Sequence, residues 1–119
     1  MIKVRNDCKI FCEKKNLKKD PVLDIHSKVS SAYSVLKDKN IKKVAQNLIR
    51  SKQLHGIQSA FFSTPKNNNG IPPHQDDFFL KAGLNNTMNI WVPLINVNSK
   101  NGTLAIFLKS HMAGVNKRL

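Results

Sequence analysis

The chain has 119 residues, 20 Lys and Arg against 7 Asp and Glu, and a formal net charge of +13. That length allows one domain with a modest core, and an apolar fraction of 40% excludes a chain disordered throughout. No apolar run approaches the roughly 20 residues that span a bilayer, and the charged N-terminus lacks the continuous apolar stretch of a signal peptide, so a cytoplasmic protein with no membrane partner is expected.

The charge invites a nucleic-acid reading, but its composition speaks against one. Lysine supplies 17 of the 20 basic residues, with arginine only at positions 5, 50 and 118. Bidentate phosphate and base recognition favours Arg. A basic nucleic-acid-binding module therefore stays a minor alternative, marked by an affinity that falls steeply with salt.

Residues 1–19 read as a basic leader, loosely ordered, with one short strand or helix around Lys9 to Phe11. Cys8 and Cys12 would share a face if helical and could form half of a zinc site. No second pair stands at a matching spacing, and two reduced thiols are the plainer reading. From residue 20 the chain reads as one domain, with a helical lead-in over 20–56 and strands over 57–108. Asp20-Pro21 carries the signature of a helix start, a capping Asp before Pro at the first helical position. Val22, Ile25, Val29, Ala32, Tyr33 and Leu36 then predict one amphipathic helix ending near Lys39. Asn40 can cap a second, striped by Ile41, Val44, Ala45, Leu48 and Ile49, with Gly56 as its stop.

Beyond Ile57 the period shortens from 3.6 to 2. The run 57–64 predicts a strand, closed by Pro65 and the turn-rich 66–70. A second strand is expected over 74–79, a loop over 81–87, and a third strand over 88–97. In that third strand Met88, Ile90, Val92 and Leu94 take one face, and Asn89, Trp91 and Pro93 the other. Residues 98–102 predict a hairpin-type turn, and 103–108 a fourth strand. Helices followed by short strands predict an α+β fold, the strands belonging to a sandwich or barrel.

The chemistry concentrates in Ile71–Asp77, IPPHQDD. Residues two apart on a strand leave the backbone on one side, so His74 and Asp76 could converge on one metal while Gln75 points away. Such a pair supplies two ligands of a 2-His-1-carboxylate triad, which suits non-haem Fe(II) with open positions. The bland alternative is a loop histidine beside a turn aspartate. Asp77 points opposite Asp76 and reads as a solvent-facing or supporting acid. His26, His55 and His111 read as structural.

The succession HQDD, NIWVPL and NGTLAIFLKSH, in that order and spacing, resembles the phytanoyl-CoA dioxygenase family of Fe(II)/2-oxoglutarate oxygenases, over about Leu48 to His111. The resemblance implies a double-stranded β-helix of the jelly-roll class, with Fe(II), 2-oxoglutarate as co-substrate and ascorbate admitted as an accessory. It implies a reaction in which decarboxylation of the oxoacid and O2 drive hydroxylation of a small-molecule substrate. His74 and Asp76 match the first two metal ligands, and Trp91 lies where the family has a tryptophan lining the oxoacid pocket. Asp76 itself argues against the halogenase branch, where a small residue replaces the carboxylate. Ser63-Thr64-Pro65 falls where many members have Lys-Pro, and Lys66 is out of register to substitute. The family's distal His, and the Arg about ten residues after it, have no counterpart; His111 matches a structural Ser-His signature, and Arg118 follows it too closely. The expectation is thus a truncated form with the first strands of the β-helix, little activity alone, and self-association through exposed strand edges. A non-catalytic relative serving as a binding or assembly partner is the alternative.

Overall fold

The computed structural model describes residues 1–17, 21–63, 71–83 and 86–115. Their order is α1 (Ile2–Lys14), β1 (Val22–Leu23), α2 (Ile25–Lys28), α3 (Ser30–Leu36), α4 (Lys39–Ile49), β2 (Ala60–Phe61), α5 (Asp77–Leu80) and a 3-10 turn at Ser110–Ala113. The architecture is α+β: helices around one antiparallel pair, with Val22 opposite Phe61 and Leu23 opposite Ala60.

The expected loose leader is instead a helix of 13 residues. Val4, Cys8, Phe11 and Cys12 recur at i, i+4, i+7 and i+8, one face of a helix, and all four pack into the core. The stripe is masked in the sequence because charged residues stand between its members and because two of them are cysteines. A buried cysteine behaves as a small hydrophobe.

The helix expected from Asp20 to Lys39 is broken into three pieces. Asp20 lies outside the described residues, and Val22–Leu23 is drawn into the sheet. Asp24 is left-handed at φ 53°, and Val29 is extended at φ −131°, so α2 is a single turn between two breaks. Asp tolerates the left-handed region better than most residues. What makes the breaks worthwhile is burial: Ile25 and Val29 join Cys8 and Phe61 as the buried cluster. A polar tie reinforces the joint. The Asp24 N–H donates to the Ser59 carbonyl, and Ser59 Oγ accepts the His26 backbone N–H at 3.1 Å while standing 2.6 Å from His26 Nδ1. His26 is thereby tied to Ser59 within the fold.

α4 forms where its periodicity predicts, with both ends displaced. The cap is Asp38, whose carboxylate accepts from the N–H groups of Asn40 and Ile41 at 2.8 and 3.0 Å. The helix stops at Arg50 in a left-handed conformation. Gly56 lies beyond the helix, and a Cβ there would meet the Leu36 methyls at 3.1 and 3.2 Å, so glycine serves close packing. Within the stripe, Ala45 is buried while Val44 and Leu48 face solvent.

The strands are fewer than the period-2 pattern predicts. Within 57–64 the described ladder is Ala60–Phe61. The 88–97 run forms no ladder, and the alternation survives only in part: Met88, Val92 and Leu94 are half-buried and Asn89, Trp91 and Pro93 are exposed, but Ile90, expected on the face of Met88, is exposed too. Leu94 reaches the core cluster. The turn at 98–102 forms as expected, with Asn101 N–H donating to the Asn98 carbonyl and Gly102 at φ 93°. The run 103–108 makes no ladder and is exposed, Leu108 to 85%. Without partner strands its alternating face has nothing to be buried against. The radius of gyration of 15.4 Å accordingly exceeds the about 13.5 Å of a fully compact chain this long.

Two outcomes test this account. Removing the cap in Asp38→Ala should cost about 1 kcal/mol in urea unfolding, whereas Asn40→Ala should stay within about 0.5 kcal/mol. Cys8, 1% exposed, has its thiol pushed up to about 11 by burial, then by the neighbouring Cys12 and Asp7. An unfolded thiol ionises near 9.0, so between about pH 9 and 11 the unfolded state binds fewer protons than the folded state and stability falls as pH rises. Cys8→Ala should flatten that slope in melts taken across the window.

Candidate metal-ligand pair

The HQDD stretch gets its shape from the prolines before it and the carboxylates within it. Pro72 and Pro73 have fixed φ and no N–H to offer a ladder, which disfavours the strand expected over 74–79. Asp76 adopts helical angles, φ −64° and ψ −29°, and its carbonyl accepts the N–H groups of Phe79 and Leu80. α5 then ends at Lys81, left-handed at φ 51°. Carboxylates at a helix start complement the partial positive charge there. The chain at His74–Asp76 is therefore a turn entering a short helix, and strand alternation is not what brings the two side chains together.

They do come together. His74 Nε2 stands 3.3 Å from Asp76 Oδ1. The other ring nitrogen, Nδ1, lies 2.8 Å from the Pro72 carbonyl. A carbonyl can only accept, so Nδ1 carries the proton and donates it. In the neutral ring that leaves an Nε2 lone pair facing a carboxylate lone pair. Protonation of the ring makes Nε2 a donor to the carboxylate, and in the neutral ring a cation between the two atoms would meet both lone pairs. Two ligands at about 2.1 Å from one ion and at right angles would stand about 3.0 Å apart, close to the separation found. A histidine whose second nitrogen donates to a backbone carbonyl is also how metal-bound histidines are held. The pair fits a cation.

Each neighbour is anchored elsewhere. Asp76 Oδ2 accepts a hydrogen bond from the Asn89 amide. Gln75 Nε2 donates to the Gly114 carbonyl at 3.1 Å, so Gln75 does point away from the pair. Asp77 Oδ1 accepts the Ala82 N–H at 2.9 Å and closes the end of α5. Both His74 and Asp76 keep open faces, with side chains 44% and 34% exposed.

The structure does not gather a complete ligand set. Among the described residues no group of three or more His, Cys, Asp or Glu side chains could hold a metal ion. His26 is engaged with Ser59, and His55 and His111 are exposed. His111 ends no strand; it sits in the 3-10 turn. Trp91 is 42% exposed on the face of its run that also carries Asn89. Thr64, Pro65, Lys66 and Arg118 lie outside the described residues. An open groove of about 280 Å³ lies elsewhere, lined by Asp7, Ile10, Phe11, Lys14, Lys28, Val29 and Ser30. Among the described residues no helix is long and apolar enough to cross a membrane. Asn89 is the neighbour of the candidate pair that the sequence pattern passed over. Its one available signal was its place beside Trp91 on the polar face of the 88–97 run.

The family model for phytanoyl-CoA dioxygenase matches residues 3–118, nearly the whole chain. No curated protein and no solved structure matches it.

The hydrogen bond to Pro72 fixes the tautomer of neutral His74. Long-range proton–nitrogen correlation spectra of the metal-free protein at alkaline pH should show the ring proton on Nδ1; a proton on Nε2 would refute the arrangement.

Proposed function

The chain belongs to the phytanoyl-CoA dioxygenase family, and from that membership we propose an Fe(II)- and 2-oxoglutarate-dependent dioxygenase that hydroxylates a small-molecule substrate on a double-stranded β-helix scaffold. The observation that carries this reading is the opposition of His74 Nε2 and Asp76 Oδ1, two donors of the types a facial triad uses. His74 and Asp76 would hold the iron. Among the described residues no third His, Cys, Asp or Glu side chain joins them in a group that could hold a metal ion.

Iron with a bound oxoacid supplies oxidising power from O2: the oxoacid loses CO2 and takes one oxygen atom, and the other ends as the substrate's hydroxyl group. The chain's own residues have simpler tasks. Pro72 holds the His74 ring with Nε2 directed outward. Asp76 brings one negative charge, so the pair neutralises half the charge of a divalent ion and leaves the remainder for an anionic co-substrate. Trp91 is proposed to line the oxoacid pocket, where its flat apolar face would exclude water from one side.

Anaerobic titration with Fe(II), followed by 2-oxoglutarate, tests the reading. Saturable binding that His74→Ala and Asp76→Ala each reduce at least tenfold is expected. Wild-type affinity in those variants would refute the ligand assignment. The chain has a single tryptophan, so Trp91 fluorescence reports the pocket directly. Addition of 2-oxoglutarate should change it in the metal-loaded protein and leave it unchanged in His74→Ala; an unchanged signal in both would remove Trp91 from the pocket.

A further inference from the structure

We infer that Asn89 is a positioning residue for the metal site: its side-chain amide holds Oδ2 of Asp76 and so makes Asp76 a one-oxygen ligand through Oδ1. The inference rests on the ligand reading of His74 and Asp76 and adds a residue to it. The two carboxylate oxygens have separate partners. Oδ1 faces His74 Nε2 at 3.3 Å, and Oδ2 accepts from Asn89 Nδ2. The contact links the turn at Asp76 to a segment 13 residues further along the chain, so it is a tertiary contact and no accident of local turn geometry.

The terminal torsion of an aspartate is soft and roughly two-fold. An unrestrained Asp76 could offer either oxygen, or both at once. Binding through both would take a second position on the ion, one that a facial triad keeps open for co-substrate and O2. An amide donor on Oδ2 opposes this by competing with the ion for that oxygen and fixing the carboxylate plane. The flanking residues hold the backbone while the amide sets the side chain: Gln75 is tied to Gly114, and Asp77 to the Ala82 N–H. Asn89 is itself exposed, so its amide can be replaced with little loss of burial. Partners of this kind around a bound metal typically contribute 10–100-fold in metal affinity.

Co(II), whose visible absorption reports coordination number, is the probe, titrated anaerobically into the full chain as wild type, His74→Ala, Asn89→Leu and Asn89→Ala, with thermal melting of each. Both Asn89 variants should melt like wild type, bind Co(II) 10–100-fold more weakly, and shift the visible bands as Asp76 closes onto the ion through both oxygens. Wild-type affinity and bands in the two Asn89 variants, with binding lost in His74→Ala, would overturn the role of Asn89 and leave the ligand pair standing. No saturable binding by wild type, or equal binding by His74→Ala, would overturn both. Weaker binding by the Asn89 variants with unchanged bands would also overturn the inference, since it would show an effect other than control of carboxylate geometry.

Discussion

The burial of Phe61 against Cys8, Ile25 and Val29 is the contact on which the rest of this structure depends. It is where three separate parts of the chain meet: the N-terminal helix, the broken helical segment after it, and the first residues of the period-2 region. The two-residue ladder between β1 and β2 is far too short to be stable by itself. It persists because Val22 and Phe61 deliver their side chains to that cluster and because Ser59 ties the turn at Asp24–His26. With so few residues fully buried, each of them matters more than in a larger core. That explains why the chain accepts a left-handed Asp24 and an extended Val29 in a segment whose spacing would otherwise make one continuous helix.

A different constraint governs the site. The Pro72 carbonyl dictates which nitrogen of His74 holds the proton, and the turn at Asp76 then places a carboxylate oxygen opposite the nitrogen left bare. The two atoms face each other in a location open to solvent, with a third residue holding the carboxylate's far oxygen. Family membership supplies the reason to think first of iron. The geometry brings one donor of each type, an imidazole nitrogen and a carboxylate oxygen, within 3.3 Å of each other.

The apolar residues that remain exposed are unevenly distributed. Ile106, Phe107 and Leu108 face solvent together, as do Phe78 and Phe79, whose rings pack edge to face 5.1 Å apart. These lie in the region whose alternation suits a sheet. An alternating run buries its apolar face only when a neighbouring strand completes the ladder, and among the described residues the ladder stops at Phe61.

Much of this was legible in the sequence. The amphipathic period gave α4, the Asn-Gly pair gave the turn at 98–102, and the alternation at 88–97 gave the partial burial of Met88, Val92 and Leu94, though not of Ile90, without any hydrogen-bonded strand. The motif succession gave the family, and the residue types of His74 and Asp76 gave the donor pair. These properties follow from local chemistry, which a sequence states directly. Tertiary structure decided the remainder. The N-terminal helix is a helix because its masked stripe found Ile25 and Phe61 to pack on. The helix after it is broken because burying Ile25 and Val29 and pairing Val22 outweigh continuous intrahelical bonds. His74 and Asp76 converge through a turn set by Pro72 and Asp76, where alternation alone pointed to a strand, and Asn89 reaches Asp76 only because the folded chain brings position 89 back to position 76. Periodicity records what a segment can bury; which partner it meets depends on residues far along the chain.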